Sequence, residues 1–331
     1  MFDLRLDDAA EWIRTKGLSS IAIQLPEGLK IRAHEIADAL SSKANVPVII
    51  IGDPCYGACD VYVNYKKFAD GLIHFGHSPL PSVTDDDNIL FIEALVNIDI
   101  KEKIAKIAGD LPKKVGLIAA VQYIGTIGDA KKVLESMGKK VFVGKGDARI
   151  KYDGQVLGCN CSSAEAVSKN VDCFLYIGEG NFHPLAAAFG VGKEIKVFDP
   201  VTSELRSTDD VRDRILRKRF AAIEKAKAAD SFLVIVSSKV GQRRDAAADD
   251  IMKKIVSTGK KAYKAVIEEI TPNALLAYRV DAYVSTACPR LAMDDSVRFD
   301  KPMLTPPEAE IAIGARGWNE YKFDEIRDKA I

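Results

Sequence analysis

Apolar residues in this chain come mostly in short unbroken runs. IAIQL (21–25), VGLIAAV (115–121) and SFLVIVSS (231–238) are each apolar almost throughout a strand's length, the mark of a strand covered on both faces. Behind each comes a stretch with helical spacing of apolar positions: IRAHEIADALSSK, IGDAKKVLESMGKK and RRDAAADDIMKKIVSTGKK. A second apolar run follows in each case (VPVIIIGD, KVFVGKGD, AYKAVIEEI), then a third (GLIHFGH, CFLYIGEG, DAYVSTACP) and a fourth (ILFIEAL, EIKVFD, PMLTP). Strands alternating with helices predict right-handed βαβ units and parallel sheets.

The layout repeats. The third runs begin near residues 71, 173 and 281 and the fourth near 89, 195 and 302, a period of roughly one hundred residues, the size of a small α/β domain. The expected fold class is α/β, with three related domains at about 1–100, 101–210 and 211–331. Each is expected to hold a small parallel sheet flanked by helices, arranged around a central site. The other arrangement compatible with the pattern is two unrelated α/β domains with irregular insertions. The junctions LVNIDIKEK and VTSELRSTDD are polar but not rich in glycine and serine, so close packing of the domains is expected.

Charge narrows the function classes. Lysine plus arginine equals aspartate plus glutamate at 47 each, so no bulk attraction to nucleic acid or to an anionic membrane is expected. The start, MFDLRLDDAAEWIRTKG, has neither the basic end nor the apolar centre of a secretion signal. VPVIIIG is too short to span a bilayer. A cytoplasmic location is expected, where the six cysteines serve better as thiols or metal ligands than as disulfides.

Three cysteines stand in glycine- or proline-marked turns after apolar runs: Cys59 in YGAC, Cys159 in LGC and Cys288 in TACP. Parallel α/β sheets gather functional groups at the carboxyl ends of their strands, so three thiols delivered there suggest one metal site. Cys55 precedes Cys59 as C-x-x-x-C, part of a radical S-adenosylmethionine motif without its third cysteine, and Cys161 follows Cys159. Cys173 opens CFLYIG and reads as a core residue. Zinc is the simplest metal alternative, but no C-x-x-C knuckle is present. A cubane iron–sulfur cluster on three thiolates leaves one iron open for a substrate.

These residues lie in stretches that together resemble the archaeal diphthamide synthase family, 2-(3-amino-3-carboxypropyl)histidine synthase: QLPEGLK (24–30), GDPCYGACDVY (52–62), HFGHSPL (74–80), GQVLGCN (154–160), GEGNFHPL (178–185), SSKVGQRR (237–244) and STACPRLAMDD (285–295). The resemblance implies a triplicated α/β fold assembled as a homodimer. It implies that Cys59, Cys159 and Cys288 each give one ligand to a 4Fe–4S cluster and take part in catalysis, with Cys159 preferred over Cys161 because it holds the LGC position. The implied reaction cleaves S-adenosylmethionine to a 3-amino-3-carboxypropyl radical and methylthioadenosine, with the electron coming from a donor not identified by the sequence. The radical adds to the imidazole C2 of a histidine on archaeal elongation factor 2, the first step of diphthamide synthesis.

Other polar residues are candidates for the S-adenosylmethionine site. Pro26-Glu27-Gly28 follows the first strand, where Glu27 either contacts the cosubstrate or sits at a helix start. Gln122 and Gln242, with Gln24, form a threefold echo near the ends of the first strands, read either as a shared cavity lining or as caps on strand-end amides. His77 and His183 follow third strands, as carboxylate binders, proton carriers or structural residues. Arg290 has a planar fork suited to an α-carboxylate, and Asp294 can meet an amino group or pair with Arg290. Glu179 either caps a helix or lines the pocket. No G-x-G-x-x-G or P-loop motif is complete. Two other functions compete: a quinolinate-synthase-like 4Fe–4S dehydratase, in which the open iron acts as a Lewis acid, and a non-enzymatic protein with structural zinc.

Overall fold

A computed structural model describes residues 2–80 and 82–327. Three separate sheets carry the expected runs. The first holds Ile21–Gln24, Val48–Ile50, Gly71–Phe75 and Ile89–Ile92, the third Ser231–Ser237, Lys261–Ile267, Ala282–Ser285 and Met303–Leu304. The second holds Lys114–Ala119, Lys140–Phe142, Cys173–Ile177 and Glu194–Phe198. In all three the second strand lies at one edge, the first and third are neighbours, and the fourth follows the third; all these pairings are parallel.

Three short strands were not expected. Leu205–Ser207 pairs antiparallel with Glu194–Phe198 and extends the second sheet. It lies in the polar junction VTSELRSTDD, is too short for a periodic signal, and is held by Leu205 packing on the sheet's core. The other two form a separate two-residue antiparallel ribbon, Phe2–Asp3 with Leu95–Val96.

The helices follow their apolar stripes. In Leu6–Lys16 the buried Ala9, Ala10 and Ile13 lie on one face, and Gly17 (φ 64°) ends the helix in the left-handed region. In Asp245–Ser257 the buried positions are Ala248, Ile251 and Ile255. The central strand Ser231–Ser237 is buried at every position after its first, as a strand covered on both faces must be. Among the described residues no helix is long and apolar enough to cross a membrane.

Polar contacts join the three sheets' layers. Gln155 donates to the Ser78 hydroxyl at 2.7 Å. Lys151 and Tyr152 reach the buried Glu93 carboxylate at 2.7 and 2.8 Å. Lys239 meets Asp60 at 2.8 Å. A fully buried pair, Arg219 and Glu308, is joined by two hydrogen bonds at 2.8 and 2.6 Å. Arg219 also donates to the carbonyls of Ala292 and Met303, so both charges are satisfied. The bond to Ala292 ties down the short helix Arg290–Met293.

Candidate active site

The connections after the strands converge on a cavity of about 720 Å³. Cys59, Cys159 and Cys288 all line it. Their backbone settings differ. Cys59 lies in the single turn Ala58–Asp60. Cys159 sits with Gly158 at the tip of a turn closed by reciprocal bonds between Leu157 and Asn160, 2.9 and 3.3 Å. A Cβ at Gly158 would run into the Phe182 ring, which would have to move aside. Cys288 precedes the helix Arg290–Met293, with Pro289 at its start. Cys59 and Cys159 lie in long connections after second strands and Cys288 directly after a third strand. The three thiols are therefore not at equivalent points of the repeat.

Gly241 presses on Cys59. Its amide donates to the Cys59 carbonyl at 3.0 Å, while its own carbonyl accepts from Arg149 Nη2 at 3.0 Å. One residue from each sheet's connections meets at this point. Gln242 adds an amide donor 3.4 Å from Cys59 Sγ. Behind the Cys288 turn, Arg244 donates to the carbonyls of Thr286 and Ala287 and forks onto Asp324 at 2.9 and 2.6 Å. The segment that carries Asp324 also ties down the Cys159 turn, since Ile326 N–H donates to the Cys159 carbonyl at 2.9 Å and Asn160 donates to the Ile326 carbonyl at 3.0 Å.

Burial pushes all three thiols up, Cys288 to about 12. Cys159 and Cys288 are raised further by the other thiols, so three metal-free thiolates in this space would repel each other. Arg149, Arg244 and Arg290 oppose that rise. A trio of soft sulfur donors, mutually coupled and set among cationic side chains, fits a polynuclear metal–sulfur group with three protein ligands.

Arg290 is buried beside this trio, with Nη2 on the Asp294 carboxylate. Its Nε and Nη1 are buried without a partner. Its guanidinium lies over the Phe182 ring, 4.2 Å from the centroid. Two unpartnered donors in a planar fork, on a residue that lines the cavity, are suited to a carboxylate. Asp294 is raised mainly by burial and held down by Arg290.

The other sequence candidates divide. Gln122, His183, Gln242 and Asp294 line the cavity, as do His77 and Glu179. Glu27 does not: it starts the short helix Glu27–Lys30, its side chain is 63% exposed, and it pairs with Lys30 at 2.6 Å. The reading of Glu27 as a cosubstrate contact is replaced by the helix-start reading. Gln24 is likewise not part of a threefold lining. It is buried and bonded on both ends of its amide, to the Asp60 carbonyl (2.7 Å) and the Tyr62 N–H (3.0 Å).

Cys161 turns away from the cavity. Its thiol donates to Glu325 at 2.8 Å and packs in the core of the second sheet. Cys173 is buried at the start of its strand. Cys55 is buried with Sγ 4.0 Å from His74 Nε2. Cys55, His74 and His77 place their ligand atoms within 4.8 Å of one another, but a hydrogen-bond chain already accounts for both imidazoles (below). The roles of Arg149, Arg244 and the segment 323–327 escaped the sequence reading. The SSKVGQRR stretch pointed at Arg244 without giving its role, and nothing local marks the others.

Comparisons with known proteins identify the family. The family model described as "Putative diphthamide synthesis protein" matches residues 25–323. The chain is 39% identical over 315 residues to 2-(3-amino-3-carboxypropyl)histidine synthase of Pyrococcus horikoshii, covering 94% of this chain and 90% of that one. It is 28% identical over 333 residues to the enzyme of the same name from Methanocaldococcus jannaschii, with 95% and 89% covered. A crystal structure of Dph2 from Pyrococcus horikoshii with a 4Fe-4S cluster superimposes with a TM-score of 0.91 at 36% identity, covering 100% of this chain and 96% of that one.

Proposed function

This chain belongs to the diphthamide synthesis family, and from that premise we propose that it transfers the 3-amino-3-carboxypropyl group of S-adenosylmethionine to a histidine of archaeal elongation factor 2, with a 4Fe–4S cluster held by Cys59, Cys159 and Cys288. The observation that supports this reading is the meeting of those three thiols in one cavity with a buried arginine whose Nε and Nη1 are unpartnered. When bound, such a cluster supplies a one-electron reductant and an iron without a protein ligand.

The chain's own residues do the positioning. Arg290 offers Nε and Nη1 to the α-carboxylate of the methionine moiety, and Asp294, already on Nη2, stands ready for the α-ammonium. Gln242 and the fields of Arg149, Arg244 and Arg290 favour the thiolate forms. Val121, Val156, Leu157 and Phe182 give the cavity apolar walls that limit water near a reactive carbon. The fixed carboxylate anchor decides which carbon of the sulfonium faces the reductant, and orientation of this kind selects the bond that breaks. A second copy of the chain and a low-potential electron donor complete the reading.

The experiment is an anaerobic assay. The reduced chain is mixed with S-adenosylmethionine, with and without elongation factor 2. Methylthioadenosine and an aminocarboxypropylated histidine are expected. Formation of 5′-deoxyadenosine, or tight zinc with no cleavage, contradicts the proposal.

A further inference from the structure

Beside the thiol-bearing cavity lies a smaller one of about 280 Å³. The two share His77, Gln122, Glu179 and His183 in their walls, so the annex lies immediately beside the main cavity. The annex also has Tyr123, Tyr176 and Gly28 in its lining. Its side chains include no lysine or arginine, so a carboxylate belongs beside Arg290 and not here. Phe2 in its lining is 41% exposed, and Pro26, Leu29 and Ala94 also line it. An exposed aromatic in a largely apolar lining suits a protein partner more than a small polar metabolite.

Hydrogen bonding fixes what His77 presents. The two backbone contacts of Gln24 orient its amide, so Oε1 is the atom 2.8 Å from His74 Nδ1 and must accept. His74 Nδ1 therefore carries the hydrogen. His74 is buried and its imidazole is held neutral by that burial, which leaves Nε2 bare. His77 Nδ1 stands 3.0 Å from that bare nitrogen and must donate to it. Burial also keeps His77 neutral, so its remaining nitrogen, Nε2, is a lone-pair acceptor. A residue on the wall common to both cavities is thus set as an acceptor, and the Glu179 carboxylate, which also takes the Tyr123 hydroxyl, is a second.

We propose that the annex receives the imidazole ring of the protein substrate's histidine, with His77 Nε2 accepting the ring N–H. The inference rests on the reading given under Proposed function and adds the acceptor's binding place. A neutral N–H heteroaromatic ring suits a pocket lined by acceptors and tyrosines and no cation, and the shared residues would place that ring next to the cavity proposed for the aminocarboxypropyl donor. Adenine has similar chemistry, and the test separates the two.

Gly28→Phe is the variant of choice. A Cβ at Gly28 meets nothing within 4 Å, and the backbone there is ordinary helix. Binding of S-adenosylmethionine by equilibrium dialysis, and its cleavage without acceptor, are expected within about twofold of wild type, whereas KM for elongation factor 2 rises at least about tenfold. If affinity for S-adenosylmethionine falls instead, the annex holds the adenosyl part and the proposal is overturned. An unchanged KM for the acceptor overturns it too. A second pair guards against misfolding: His77→Gln, which restores an acceptor oxygen, is expected to retain more acceptor binding than His77→Phe, and equal loss in both contradicts the assignment. Wild-type chain that never cleaves S-adenosylmethionine instead sinks the parent reading.

Discussion

The amide of Gly241 donates to the carbonyl of Cys59 at 3.0 Å, although the two residues belong to connections of different sheets. A side chain at 241 has no room: a Cβ would stand 2.7 Å from Cys59 Cβ and 2.8 Å from its carbonyl oxygen. Glycine is what lets the third sheet's connection hold the first sheet's thiol in place.

Gly241→Ala is therefore expected to displace Cys59 with no change in the thiol itself. A stability loss of about 1–3 kcal/mol, typical of overpacking, should appear in urea denaturation, and iron retained after anaerobic gel filtration should fall. Full retention of both would show that the contact does not position Cys59.

Arg290 supplies the second test. Its Nε and Nη1 are buried and unpartnered, so the cosubstrate's carboxylate should satisfy them. Arg290→Gln is expected to weaken S-adenosylmethionine binding at least about tenfold, roughly 1.4 kcal/mol, measured by equilibrium dialysis at fixed iron content. Arg290→Glu should weaken it further, because it sets a carboxylate against a carboxylate.

The carboxyl-terminal segment is a tie between two thiol turns. Asp324 is buried against Arg244, which supports the Cys288 turn, and Ile326 bonds the Cys159 carbonyl. Asp324→Asn strands a mostly buried guanidinium, and breaking such a pair costs about 3–5 kcal/mol. A lower urea midpoint together with faster cluster loss is expected; a lower midpoint with unchanged cluster half-life would limit the segment to a stabilising role.

Acid sensitivity should come partly from imidazoles. Burial lowers His77 and His183 to about 4, against about 6.5 in an unfolded chain. Between those values the unfolded state binds more protons, so stability rises with pH and is lost as pH falls from about 6.5 through 4. Each accounts for on the order of 3 kcal/mol of that loss. Urea midpoints at pH 7 and pH 4.5 should differ less in His77→Gln than in wild type.

Much of the architecture was legible because buried parallel strands have continuous apolar runs, as SFLVIVS does. Leu205–Ser207 was not, since three residues in a polar junction carry no period. Candidate residues that depend on side-chain direction fared worse. Glu27 and Gln24 sit at the right end of the first strand, yet one turns outward to Lys30 and the other into a buried amide network. Cys159 and Cys161 are close in sequence, but only the former lines the cavity. Arg149 and Asp324 act on partners far along the chain, Gly241 and Arg244, and no local motif announces such pairings.

Quantifying iron and acid-labile sulfide in anaerobically prepared chain, with Mössbauer spectra, tests the central assignment most directly. Wild type is expected to hold one 4Fe–4S cluster, lost on Cys59→Ser, Cys159→Ser or Cys288→Ser and kept on Cys161→Ser or Cys173→Ser. Retention of the cluster by Cys159→Ser with loss in Cys161→Ser, or stoichiometric zinc in place of iron, would contradict it.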